Sequence, residues 1–187
     1  MIIIKKITWE EILPIWTNEL WPQSVRQSKI ESTSAMSCFK IDVWDETARI
    51  FKEKDHYDLE NMKFTPTFWG AFDDDKLIGC NSGHMTLDRL YRSRGLYVKP
   101  DSRGWRIGQK LLLKTISQAY HERAIAVWSY PRLESWETYN HCEFHLKGYG
   151  YNFRWEKQET GTNSRCLKEL DRAELRKLRA PKPDYVA

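Results

Sequence analysis

The most constraining stretch of this chain is Leu96-Tyr97-Val98-Lys99-Pro100-Asp101-Ser102-Arg103-Gly104-Trp105-Arg106-Ile107-Gly108-Gln109-Lys110-Leu111-Leu112. Tyr91 to Val98 reads as a strand that must stop before Pro100. A long helix follows from about Gly104 to Glu122, because Gly108, Leu112, Ile116 and Ala119 trace one face at helical spacing. A strand that passes through a short loop carrying Arg and Gly into a helix is a recipe for an anion site. The first N–H groups of a helix have no partner within it and its dipole is positive there. Arg103 and Arg106 add charge, and Gly104 and Gly108 let a ligand approach the backbone. A diphosphate suits that chemistry.

The flanking segments fix the fold class. Ile2, Ile3, Ile4 and Ile7 suggest a first strand. Thr8 followed three residues later by Glu11 is the capping-box sign of a helix start, and Trp9, Ile12, Leu13, Trp16 and Leu20 continue at helical spacing. Pro14 predicts a kink, and Trp21-Pro22 an end. Between Gln23 and Lys63 the pattern is weakest. Helical character is clearest from Val43 to Lys54, and the polar region from Ser32 to Ser37 suits a loop over a site. Phe68 to Phe72 and Lys76 to Cys80 read as a hairpin around Asp73-Asp74-Asp75. Ala124 to Tyr130 reads as a buried strand, Leu133 to Cys142 as a helix just after Pro131, and Tyr149 to Trp155 and Asn163 to Leu170 as strands around Glu159-Thr160-Gly161-Thr162. The order predicts a mixed α/β domain rather than a bundle or a sandwich. No linker or repeat divides the 187 residues, so residues 1–170 are expected to form one domain and 171–187 a short C-terminal helix or tail.

Composition narrows the functional classes. Hydrophobic residues make up 41% and charged residues 30%, which marks a folded chain. No apolar run approaches the roughly 18 residues of a membrane span. Met1 to Ile4 runs directly into Lys5-Lys6 and Glu10-Glu11, which is no secretory signal, so a cytoplasmic location is expected. Cys38, Cys80, Cys142 and Cys166 are widely separated, without metal-ligand or dithiol spacing, and are read as reduced thiols with no metal. A net charge of +4 permits an anionic ligand but falls short of a dedicated nucleic-acid-binding domain. Nine tryptophans are many for this length. Trp69, Trp128, Tyr130 and Trp136, on or beside the expected central strands, are candidates for pocket walls.

The junction resembles the signature of the GNAT superfamily of acyl-CoA-dependent N-acyltransferases: Arg or Gln, two variable residues, Gly, one variable residue, then Gly or Ala, where a strand meets a helix. Arg103 holds the first position and Gly108 the last, while Arg106 stands in place of the middle glycine. Downstream, the family's small residue, Tyr and Phe have counterparts of the same spacing in Ser135, Tyr139 and Phe144. Glu143 replaces the Gly before the Phe, and Arg132 the Asn seven residues before the Tyr.

The resemblance implies a single GNAT-fold domain whose central strands, Tyr91 to Val98 and Ala124 to Tyr130, splay apart. It implies acetyl-CoA as acyl donor, held by Leu96, Tyr97, Val98, Arg103, Gly104, Trp105, Arg106, Ile107 and Gly108, and a primary amine that attacks the thioester directly in a ternary complex. Tyr139, whose side chain has an ordinary pKa of about 10, is then the candidate acid for the leaving thiolate. His84, Glu134 and Glu137 are candidate bases by position. Two other readings stay open: a nucleobase-modifying enzyme of the Mom type acting on nucleic acid, and a binding module that keeps the fold without turnover. Dimerisation is expected only by analogy with the fold.

Overall fold

The computed structural model describes residues 1–20, 41–45, 50–54, 66–85, 89–146, 156–158, 161–164, 166–171 and 173. Strand β1 (Ile2–Ile7) leads into helix α1 (Trp9–Ile15), whose Thr8 cap and Glu11 form the expected reciprocal capping box. Pro14 lies inside α1, and the chain continues as a π-helical turn, Trp16–Leu20. Strands β2 (Ile41–Asp45) and β3 (Ile50–Lys54) pair antiparallel. The helix expected from Val43 to Lys54 is therefore replaced by strands. Both runs are short and rich in β-branched and aromatic residues, Ile41, Val43, Trp44, Ile50 and Phe51, which suit a pleated surface better than a helix.

Strands β4 (Thr67–Asp73) and β5 (Lys76–Met85) form the expected hairpin, with Asp74 in the left-handed conformation at its turn. β6 (Leu90–Val98) pairs antiparallel with β5. A 3-10 turn (Pro100–Ser102) then leads to helix α2 (Ile107–His121), three residues later than the expected start at Gly104. α2 is the crossover to β7 (Ala126–Ser129), which is buried at every residue and runs parallel to β6. A 3-10 turn (Leu133–Ser135) and the short helix α3 (Trp136–Asn140) occupy the expected helical segment, followed by β8 (His145–Leu146). The single strand expected from Asn163 to Leu170 is divided: β10 (Gly161–Asn163) pairs with β9 (Glu156–Gln158), and β11 (Cys166–Glu169) joins the main sheet. The expected helix end at Trp21-Pro22, the loop at Ser32 to Ser37, the strand at Tyr149 to Trp155 and nearly all of the tail lie outside the described residues.

The main sheet has seven strands in the order β1-β4-β5-β6-β7-β11-β8, all neighbours antiparallel except β6 and β7. Apolar residues cover both faces. Leu112, Ile116 and Ala119 of α2 pack with Tyr91, Val127, Tyr139 and Phe144, whereas Ile12, Ile15 and Trp16 pack with Phe68, Phe72, Cys80 and Tyr97. Cys80, Cys142 and Cys166 are buried free thiols. No helix among the described residues is long and apolar enough to cross a membrane.

Candidate active site

The site begins with one surplus residue in β6. Opposite β5, Tyr97 pairs with Cys80, but Arg94 pairs with Ser82, so β6 spends two residues, Gly95 and Leu96, where β5 spends one, Asn81. Gly95 occupies this bulge at φ +70, and a Cβ there would lie 2.4 Å from the Trp16 ring. Trp16 also donates its Nε1–H to the Gly95 carbonyl at 3.0 Å. Only glycine satisfies both the backbone angle and the approach of the indole. A bulge bends its strand, and the other edge of β6 bears this out. β6 and β7 pair at Leu90 with Ala126, Tyr91 with Val127 and Arg92 with Trp128, and no further. From Ser93 to Val98 β6 has no ladder partner in β7, which ends at Ser129, and the gap that the resemblance implies lies along this stretch.

The outer mouth of this gap is the strand-to-helix junction. Lys99 donates its N–H to the Ile78 carbonyl of β5 at 2.8 Å, so strand alternation turns the backbone groups of Val98, and of Leu96 two residues before, toward the gap. Arg103 donates from Nε to the Val98 carbonyl at 3.0 Å and ties the loop to the end of the strand. Gly104 has φ +85 with open space around it, so conformation rather than crowding calls for glycine there. Arg106 caps α2 at φ +56, the left-handed geometry that a glycine would adopt without strain. It makes no side-chain cap, and no acid stands in the first turn of α2, in contrast to the fully capped α1. The leading N–H groups of α2 thus lie in a stretch rich in exposed cations, Lys99, Arg103, Arg106 and Lys110, with Asp101 the one acid from 99 to 110. Trp105 is 70% exposed beside them, and Ile107 is buried against Leu111.

Gly108 plays a packing role. A Cβ there would come to 3.1 Å from Thr138 Cγ2, so the bare glycine lets α3 rest on the first turn of α2. This contact sets the height of Tyr139, which is 3% exposed and meets Phe144 edge-on at 5.2 Å. The Tyr139 hydroxyl lies 3.1 Å from Ser129 Oγ, and Ser129 Oγ lies 2.9 Å from the Ser93 carbonyl. Ser129 Oγ can donate to the Ser93 carbonyl or to the Tyr139 hydroxyl, and its single proton serves one of them at a time. These bonds span β6 and β7 at Ser93, the first step beyond the last paired residues, so the phenol sits at the apex of the gap. Burial pushes the Tyr139 phenol well above the ordinary range, and hydrogen bonds from Ser129 and Ser93 act in the opposite direction.

Behind the apex lies a buried polar chain. Asn81 donates to Ser93 Oγ at 3.0 Å and to Thr115 Oγ1 at 2.8 Å, and Thr115 donates to the Leu111 carbonyl at 3.2 Å. Near the rim, Tyr97 donates its hydroxyl to the Glu19 carboxylate at 2.9 Å, and burial followed by that carboxylate pushes Tyr97 up to about 12. Arg132 donates to the Leu20 carbonyl at 2.9 Å, fastening the π-helical turn to the segment after β7.

Of the candidate bases, His84 is buried on β5. Burial first, and then Arg92 and Arg94, push its imidazole down to about 3, so it is neutral and a weak proton acceptor. Glu134 and Glu137 are exposed. Among the aromatic candidates, Trp69 belongs to β4, separated from β6 by β5, where Lys6 and Lys114 lie over its ring at 5.6 and 6.0 Å; it is placed away from the gap. Trp128 is 2% exposed and packs with Leu90 and Ala126. Sequence reasoning passed over Gly95, Asn81, Ser93, Thr115, Ser129 and Glu19. A lone glycine inside a strand run was a usable signal for the bulge; the polar chain had none, because its members come from four elements. Among the described residues no group of three or more His, Cys, Asp or Glu could hold a metal ion.

Solved structures with this arrangement share the fold at low identity. The IAA acetyltransferase of Bacillus cereus aligns with a TM-score of 0.58 at 14% identity, covering 91% of this chain and 100% of its own. A Bacillus subtilis acetyltransferase in complex with CoA aligns at 0.54 and 13%, covering 90% and 97%. A Bacillus anthracis chain in complex with acetyl coenzyme A aligns at 0.55 and 10%, covering 91% and 100%. No curated protein matches the chain. The profile of the acetyltransferase (GNAT) family matches residues 35–144, more than half of the sequence and the whole of the β4 to α3 frame that builds the gap. The chain therefore belongs to the acetyltransferase (GNAT) family and is an acyltransferase.

Proposed function

We propose that this protein transfers an acetyl group from acetyl-CoA to a primary amine, by direct attack of the amine on the thioester within a ternary complex. The observation that carries the reading is the gap between β6 and β7, with an uncapped, cation-flanked helix end at its mouth and a phenol at its apex. The fold is shared with structures whose own ligands are CoA and acetyl coenzyme A. In this reading the N–H groups at the start of α2, with Arg103 and Arg106, hold the pyrophosphate, and Gly104, Trp105, Ile107 and Gly108 shape that loop. The backbone of Leu96, Tyr97 and Val98 lines the path of the pantetheine arm. Tyr139 supplies the proton that the thiolate takes as the C–S bond breaks, and the pocket holds donor and amine together, which replaces an acyl-enzyme step with proximity.

Calorimetric titration with acetyl-CoA, followed by an amine panel read by thiol release, tests the proposal. Wild type binds saturably, and Arg103→Ala weakens binding roughly tenfold or more, the loss typical of a hydrogen bond to a charged group. Equal affinity in wild type, Arg103→Ala and Gly108→Trp would remove the assigned donor site.

A further inference from the structure

The bond directions at the apex carry a consequence for proton transfer. Ser129 has one hydroxyl proton and two acceptors in reach, the Ser93 carbonyl at 2.9 Å and Tyr139 Oη at 3.1 Å; while that proton rests on the carbonyl, Ser129 Oγ can only accept from the Tyr139 hydroxyl. For the phenol proton to reach a sulfur in the gap, the Tyr139 to Ser129 bond must open, and the phenolate left behind would be buried at a position only 3% exposed. A buried phenolate is costly unless donors turn toward it. Ser129 can do so by a single hydroxyl rotation, away from the Ser93 carbonyl and onto Tyr139 Oη. The Ser93 hydroxyl is its natural companion: it also bonds Tyr139, and its alternative acceptor, Asn81 Oδ1, is more distant at 3.4 Å.

We propose that Ser129 is a positioning residue that switches its hydroxyl from the Ser93 carbonyl to Tyr139 Oη as the phenol gives up its proton, stabilising the phenolate while it exists. The inference rests on the acyl-transfer reading above. The step balances: the carbonyl carbon's bond to sulfur breaks and leaves the electron pair on sulfur, the Tyr139 O–H bond breaks as the S–H bond forms, and the phenolate recovers a proton released by the acylated nitrogen. Ser129 itself neither gains nor loses a proton. The exchange costs no backbone movement, because Ser129 is held in β7 by its antiparallel pairing with Cys166 of β11 and only its hydroxyl turns.

The test uses hydroxylamine as a small acceptor that is mostly neutral at pH 7, with thiol release from acetyl-CoA as the readout and calorimetry as the check on donor binding. Ser129→Ala lowers kcat roughly ten- to a hundredfold, with acetyl-CoA affinity unchanged. Ser129→Thr, which keeps the hydroxyl, recovers most of the rate. The deciding variant is the double one. If Ser129 acts through Tyr139, then Ser129→Ala combined with Tyr139→Phe is no slower than Tyr139→Phe alone. A double variant slowed by the product of the two single losses, or a Ser129→Ala enzyme at wild-type kcat beside a slow Tyr139→Phe, overturns the switch and leaves the acid assignment standing. Wild-type kcat in Tyr139→Phe instead removes the acid itself, and no thiol release from wild type above the uncatalysed background removes the acyl-transfer reading beneath both.

Discussion

Arg106 and Glu143 stand where the family carries glycine, and both keep a glycine's backbone, at φ +56 and +63. For a residue with a Cβ this geometry costs roughly 1–2 kcal/mol, so each side chain must be retained for what it does. Glu143 has a visible reason: Lys168 Nζ lies 2.5 Å from its carboxylate, fastening the end of α3 to β11 and drawing the Glu143 carboxyl below its usual range. Arg106 has no such partner among the described residues and stands exposed at the start of α2, which suits a guanidinium kept for a ligand's phosphates. Arg106→Gly should accordingly leave the fold intact and change its stability little, with relief of strain of about 1–2 kcal/mol offset by the greater freedom of glycine in the unfolded chain, about 0.4–1 kcal/mol. Acetyl-CoA affinity should fall roughly tenfold, with a smaller difference at high salt. Thermal melts and calorimetry at two ionic strengths check both halves; an unchanged dissociation constant would assign Arg106 to the loop's shape alone.

At the scale of elements, the β5 and β6 pair carries the irregularity that borders the gap. Its bulge at Gly95 turns β6 away from β7, and His84 is sealed on the neighbouring strand with Arg92 and Arg94 nearby. That burial sets an acid sensitivity whose sign is fixed. The folded imidazole binds a proton only near pH 3, whereas the unfolded one binds near 6.5, so between these values the unfolded chain carries the extra proton. Stability contributed by neutral His84 is complete above about pH 6.5 and is lost as pH falls toward 3. Between pH 7 and pH 5 wild type should lose about 2 kcal/mol more than His84→Gln in urea denaturation. Parallel curves for the two proteins would show that His84 can take up its proton without unfolding.

The same scale explains what the sequence made readable. The β4 and β5 hairpin, β6, α2 and β7 were legible because apolar period, turn residues and prolines agree with one another over long runs. Val43 to Lys54 was not, since two five-residue strands are too short for periodicity to separate from a helix and their pairing is a tertiary fact. Within the site, Arg103, Gly108 and Tyr139 could be found by spacing. Ser129, Ser93, Asn81 and Thr115 could not, because β5, β6, α2 and β7 meet only after the sheet has formed.

For the molecule as a whole, the gap means that the folded chain lacks ladder hydrogen bonds along one side of β6 in the middle of its sheet. Four elements border that opening: α2 at the mouth, β6 and β7 along the sides, and α3 beneath. A donor lying in it would touch all four at once, so its binding energy should appear as global stability rather than as local ordering of a loop. At a concentration one hundred times its dissociation constant, acetyl-CoA should add about 2.7 kcal/mol, which for a chain of this length raises the melting temperature by roughly 5–11 °C. Arg103→Ala should show a smaller rise at the same concentration, and Tyr139→Phe the full one, since the phenol serves the reaction rather than the grip. Duplex DNA should leave the melting temperature unchanged. A rise with DNA that vanishes steeply with salt, and none with acetyl-CoA, would transfer the cationic mouth of the gap to a nucleic-acid backbone, because only a ligand with many phosphates releases enough counterions to give that slope.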